Sequence, residues 1–361
     1  MTLDDVDHRR SVRAAPFGVQ DTEFLVFQYR GRDILAVPKE SKAACLEGVK
    51  KYQPFSQKRQ LYRLLMSALI RVGGWRLAAV TRAGPVTKDY DFDFKAWQLE
   101  LARKLDRPIA HAIVTWPSEA SRPRLYVHLL DAKLQAFAFV KLAFSSGDNR
   151  KLDAEAKTLR ALNALEFQEV RVPKLMSHGR FGDVRYLVME PLPAHVKPPK
   201  STQGWDSSAL FAEYCGPMTR LSGTEIMNLR WWSDYTNAVG IEHRSFHAEL
   251  IRLLSLGAEV CRVHGDLGLA NMVTDGKCTW IFDWESSDFS APALSDSIGF
   301  FMSFTVGKSH RDPVSQVAGF RARFLRDSSQ EHRAAVMLAL AFRHARGIPD
   351  AGRIMKSWTV R

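Results

Sequence analysis

Asp275-Gly276 stands between two short apolar runs, residues 271–274 and 278–282. An Asp-Gly pair in that setting is a strong signal for a tight β-hairpin, because the turn needs residues that accept positive φ. A hairpin returns its two ends to the same side. Asn271 at the start and Asp283 just past the end are thereby brought together. Asp266 lies upstream in a tight loop, His264-Gly265-Asp266-Leu267-Gly268-Leu269-Ala270-Asn271, and joins them. The spacing predicts a helix over 243–262 leading into this loop. The result is a convergence of oxygen-bearing side chains at the edge of a helical region. Two carboxylates and an amide oxygen suit magnesium, which takes few protein ligands and keeps water or phosphate oxygens for the rest.

The remaining pattern organises around that site. Residues 24–27 and 33–37 read as strands, 41–52 and 57–72 as helices, and 94–105 as a further helix. In the second helix Leu61, Leu64, Leu65 and Leu69 form an apolar stripe. Strands are expected at 109–116, 124–130 and 136–144, then an amphipathic helix at 152–165. Apolar segments at 172–177 and 186–189 complete a five-stranded sheet, which Pro191 and Pro193 terminate. From about residue 205 the chain reads as mostly helical, with a capping box at Ser222-Gly223-Thr224-Glu225. Helices are expected at 297–304, 312–326, 330–346 and 350–358. The expected domains are 1–105, an α+β extension; 106–193, a sheet lobe; and 194–361, a helical lobe.

Composition excludes little but directs the reading. The chain has 361 residues and a formal net charge of +12. Its basic residues are scattered rather than gathered in a tract, so solvated basic faces explain the charge and no specific nucleic-acid binding is expected. Cys45, Cys215, Cys261 and Cys278 form no C-x-x-C pair. A zinc site or a disulfide framework is therefore not expected, and a reducing compartment fits. With no apolar run long enough to span a membrane and a polar, charged residue 1–21 segment, a cytoplasmic protein is expected.

His264-Gly265-Asp266 with Asn271, followed by Ile281-Phe282-Asp283-Trp284-Glu285, resembles the aminoglycoside-phosphotransferase and choline-kinase family, small-molecule kinases of the protein-kinase-like fold. The resemblance implies an α+β bilobal fold. It implies transfer of the γ-phosphoryl group of ATP or GTP to a hydroxyl of a small molecule, such as a sugar, amino alcohol or glycan. By that resemblance Asp266 is the catalytic base, with His264 beside it mainly supporting the loop. Asn271 and Asp283 hold Mg2+ on the nucleotide phosphates. Asp296 either bonds the backbone of the catalytic loop or caps the helix that follows; one carboxylate could do both.

The same resemblance assigns the nucleotide side. Lys141, in Ala136-Phe137-Ala138-Phe139-Val140-Lys141-Leu142, would hold phosphate oxygens, and Glu155 would hold Lys141. Period-two alternation puts Lys141 on one face with Phe137 and Phe139. Alone, Lys141 reads equally as a strand residue reaching to solvent, and Glu155 as an ordinary helix residue. Glu190 and Leu192 stand where the hinge backbone would bond the adenine edge. Two features depart from the family pattern: the first turn, residues 117–123, contains no glycine, and Phe139 replaces a small residue. The glycine-free turn keeps a second reading open, a catalytically silent kinase-like nucleotide-binding or regulatory protein. The acceptor side is open too. Trp231, Trp232 and Tyr235 either cradle a substrate or belong to the core, and Glu285 faces either the site or solvent.

Overall fold

The computed structural model describes residues 24–39, 41–52, 57–73, 81–83, 90–117, 122–199, 207–308, 313–326 and 328–358. The expected N-terminal tail, the turn residues 118–121 and the stretch 200–204 lie outside them. The chain divides into two compact units, residues 1–144 with 179–188, and residues 145–178 with 189–361.

In chain order the first half forms β1 (Phe24–Tyr29), β2 (Arg32–Pro38), α1 (Lys42–Lys51), α2 (Gln57–Arg71), β3 (Thr81–Ala83), α3 (Phe94–Lys104), β4 (His111–Thr115), β5 (Arg124–Leu130) and β6 (Ala136–Ala143). Next come α4 (Ser146–Leu162), β7 (Val170–Arg171), β8 (Leu175–Phe181) and β9 (Val184–Met189). One eight-stranded sheet runs β3-β1-β2-β4-β5-β6-β9-β8, with antiparallel pairing from β3 through β6.

The expected five-stranded sheet is thus too small. β2 pairs with β4, Leu35 opposite Thr115, and so carries the strands of the N-terminal extension onto the same sheet. The reason lies in burial on both faces. Val26 packs with Trp97 and Leu101 of α3, while its neighbours Leu25 and Phe27 pack with Cys45 and Val49 of α1 and Met66 and Ile70 of α2. A strand covered on both sides reads as a continuous apolar run, without the alternation that marks an outer sheet.

The second unit adds α5 (Ser207–Cys215), β10 (Thr219–Leu221), α6 (Gly223–Met227), α7 (Arg230–Ala238), α8 (Arg244–Leu253), β11 (Ala258–Val263), β12 (Met272–Thr274), β13 (Thr279–Ile281), β14 (Asp288–Pro292), α9 (Ser295–Lys308), α10 (Pro313–Phe324), α11 (Gln330–Ala345) and α12 (Pro349–Lys356). An antiparallel sheet unit and a mainly helical unit give the α+β class expected. The Ser222/Glu225 capping box is present.

One helix was expected too long. Residues 243–262 do not form a single helix: α8 ends at Leu253 and β11 follows. Gly257 separates them at φ 66°, and a Cβ there would stand 2.3 Å from the Leu221 carbonyl oxygen. Beyond it, β11 is held on both edges, pairing with β10 and β14. The loop carrying Asp266 therefore leaves a strand, not a helix.

Candidate functional site

The loop after β11 is fixed from beneath by Asp296, in the first turn of α9. Its carboxylate accepts from the backbone N–H of His264 at 2.6 Å and of Gly265 at 3.0 Å. It also accepts from the Tyr214 hydroxyl at 2.8 Å. Asp296 is almost fully buried, so these bonds satisfy a charge that would otherwise be costly to bury. Of the two roles open from sequence, loop support is seen. The helix begins at Ser295, so Asp296 lies inside its first turn rather than at its cap. Tyr214 could not have been found from sequence, because nothing local links it to a residue so distant along the chain.

His264 is fully buried. Its Nε2 lies 2.9 Å from the Phe282 carbonyl oxygen, and its Nδ1 accepts from the Asp266 N–H at 3.3 Å. With Nδ1 accepting and Nε2 facing a carbonyl, the network assigns a ring proton to Nε2. The ring also lies 4.7 Å from that of Trp284, itself fully buried. His264 thus ties the loop to the exit of the hairpin.

The hairpin brings its ends together as expected. Met272 pairs with Ile281, and the Phe282 N–H donates to the Asn271 carbonyl at 3.1 Å. Asn271 Nδ2 donates to the Asp266 carbonyl at 2.8 Å, which turns the amide oxygen, the atom able to ligate a cation, away from that carbonyl. Asp283 follows in the left-handed region, φ 68° and ψ 54°. Few residues other than glycine adopt that conformation, and such outliers cluster at functional sites.

The turn after Asp283 packs against α4, where Thr158 and Ser287 share a hydrogen bond of 2.6 Å. One helical turn before Thr158 is Glu155, completely buried. Carboxylate oxygens of Glu155, Asp283 and Glu285 lie within 4.8 Å of one another. Three carboxylates that close repel one another, and either protonation of one or a cation among or beside them relieves the repulsion. Glu285, left open between site and solvent, faces the site.

Asp266 is open to solvent in part, yet crowded by protein. Desolvation raises its carboxyl above the usual aspartate value, opposed by His264 and the cation of Arg343 and reinforced by Asp283 and Glu285. Arg343, in α11, is 3% exposed. Its Nη1 lies 3.5 Å from the Ser295 carbonyl, and a Cβ on Gly299 would meet it at 2.3 Å. Sequence gave no sign of this buried cation behind the loop.

Other expectations resolve differently. Trp231, Trp232 and Tyr235 of α7 are buried, with Trp231 against Phe342 and its indole N–H on the Ser290 carbonyl at 3.1 Å. They are core, not a substrate cradle. In the first unit Lys141 lies on β6 opposite Tyr126 and is 5% exposed. Phe139 shares its face, opposite His128, and its ring stacks on Tyr126 at 6.0 Å. Phe137 does not: a register shift at Leu129/Leu130 sends it into the cluster of Ala138, Val140 and Leu142 on the other face. The Glu190 N–H donates to the Lys174 carbonyl at 2.9 Å, so only its carbonyl is left for a ligand edge.

No protein-family model and no curated protein matches the sequence. Among solved structures the chain is similar to the apo form of a thermostable mutant aminoglycoside phosphotransferase, at 11% identity over 72% of this chain and 94% of that one, TM-score 0.44. It is also similar to a spectinomycin phosphotransferase in complex with ADP and spectinomycin, at 14% identity over 72% and 86%, TM-score 0.41. A third is a choline/ethanolamine kinase family protein from Mesorhizobium loti, at 12% identity over 64% and 83%, TM-score 0.38.

Proposed function

We propose that this chain is a magnesium-dependent phosphotransferase that moves the γ-phosphoryl group of ATP or GTP to a hydroxyl of a small molecule. The observation that carries the reading is the gathering of Asp266, Asn271, Asp283 and Glu285 on one loop-and-hairpin unit, with Glu155 alongside. Acids gathered this closely repel one another, and a bound cation would relieve that repulsion.

The donor set fits magnesium, being all oxygen and mostly carboxylate. Asp283 and Asn271 are the residues we assign to hold it, with Glu285 at hand. Bound there, the ion would neutralise charge on the nucleotide phosphates. The protein's own work is positional. Asp266 orients the acceptor hydroxyl and takes its proton as the oxygen attacks phosphorus. Its raised basicity, which comes from desolvation and neighbouring acids, favours that proton transfer. Asp296, His264 and Asn271 fix the backbone on either side of it. On the nucleotide side, Lys141 would hold phosphate oxygens, with the Glu190 carbonyl and Leu192 at the base.

The test is nucleotide consumption by the full chain against a panel of hydroxylated metabolites, with Asp266→Asn as blank. Magnesium-dependent turnover that is lost in the blank supports the reading. Nucleotide binding with no turnover on any acceptor would favour the silent-kinase alternative.

A further inference from the structure

The leucine stripe of α2 does not face the core. Leu61, Leu64 and Leu65 are 61%, 59% and 58% exposed, and Val72, one residue past the helix, is 80% exposed. With Ala68, also exposed, these positions fall at i, i+3, i+4, i+7 and i+11, a single line along the helix. The opposite side supplies the core: Met66 and Ile70 pack with Val49, Phe27 and Leu130. The helix is apolar on two sides, and among the described residues only one is covered. A contiguous exposed row of large aliphatic side chains marks an interaction surface.

Charge says what kind. Helix α2 contains Lys58, Arg59, Arg63 and Arg71 and no acidic residue. At 100° per residue, Lys58 and Arg71 flank the leucine line, both exposed. Arg59 instead lies over the Tyr29 ring. Beside α2, Lys42 donates to the Arg71 carbonyl at 2.8 Å, and α1 ends in Lys50 and Lys51, both paired with Glu47. A second copy of the chain would bring this same basic face against itself, and like charges oppose such pairing. No helix among the described residues is long and apolar enough to cross a membrane. A straight apolar line on a convex helix, edged by cations, matches a flat surface with an anionic rim and an apolar interior.

We propose that α2 docks this protein on an anionic phospholipid surface, with Leu61, Leu64 and Leu65 entering the headgroup–acyl boundary and Lys58 and Arg71 meeting the headgroups. The site is separate from the phosphotransferase reading and does not depend on it.

The experiment is co-sedimentation of the full chain with vesicles of equal parts phosphatidylcholine and phosphatidylglycerol, and with vesicles of phosphatidylcholine alone. Binding is expected to the anionic vesicles only, and to weaken as salt rises. The triple variant Leu61→Ser, Leu64→Ser, Leu65→Ser should lose about tenfold or more in partitioning while keeping its circular dichroism, since these side chains already face water. The charge variant Lys58→Glu, Arg71→Glu should lose binding to the anionic vesicles as well. Failure of the wild type to sediment with anionic vesicles would overturn the proposal. So would undiminished binding by the triple variant, or a leucine-dependent dimer in light scattering without vesicle binding.

Discussion

Gly265 and Ser286 meet backbone to backbone: a Cβ at position 265 would stand 2.2 Å from the Ser286 carbonyl oxygen, and Gly265 sits at φ 86°. A side chain here is excluded twice, by the clash and by the conformation. Gly265→Ala should push the loop away from the turn that follows Asp283. We expect a stability loss of about 1–3 kcal/mol. Turnover should fall on the order of 10²-fold, because Asp266 is the next residue. Thermal unfolding and turnover check this; a variant as stable and active as wild type would show that the contact does not hold the site.

Asp296→Asn should be more damaging than its small change suggests. Asp296 faces donors from His264, Gly265 and Tyr214, and an amide would turn an NH2 group toward at least one of them. Leaving a buried donor unsatisfied costs about 1–3 kcal/mol. Tyr214→Phe removes one donor and leaves the backbone bonds, so it should cost only about 1 kcal/mol. Equal losses from the two variants would contradict this ranking, with chemical denaturation as the measurement.

These two cases show what could be read from sequence. The hairpin was legible because Asp275-Gly276 is a local signal, and the order His264, Asp266, Asn271, Asp283 follows from it. β11 was not, since Ala258–Val263 becomes a strand only through its pairing with β10 and β14. The same holds for β1 and β2, whose burial on both faces hides alternation. Tyr214, Arg343 and the approach of Glu155 to Glu285 depend on packing between elements far apart in sequence. The leucine stripe of α2 was read correctly as helical, but its period cannot say which side of the helix is covered.

Asp266→Asn separates chemistry from binding. The substitution keeps size and removes the carboxylate that we assign as the base. Turnover should fall about 10²–10⁴-fold while nucleotide affinity stays near wild type. Calorimetric nucleotide titration alongside steady-state rates is the check. A large loss of affinity with turnover intact would assign Asp266 to the nucleotide instead.

Asp283→Ala should abolish magnesium-dependent nucleotide binding while leaving the fold in place. Glu285→Gln should only raise the magnesium concentration required, because Asp283 and Asn271 remain. Binding measured across a magnesium series distinguishes them. Unchanged behaviour of the Asp283 variant at every magnesium level would remove it from the metal site.

Glu155 offers the sharpest test of how the site is assembled. It is completely buried and stands among the oxygens of Asp283 and Glu285, where a cation beside it would offset the like charges. The family resemblance supplies one candidate, the ammonium of Lys141; the acidic cluster suggests another, the metal. If Glu155 acts by holding Lys141, the two form a unit and their losses should not add. Lys141→Ala should then weaken nucleotide binding strongly, Glu155→Ala more mildly, and the double variant should match Lys141→Ala alone. If Glu155 instead serves the metal, the losses should sum, and Glu155→Ala should raise the magnesium requirement as Glu285→Gln does. Nucleotide titrations of the four proteins at two magnesium concentrations decide between these outcomes. Summed losses would end the Lys141–Glu155 assignment even with Asp266 and Asp283 confirmed.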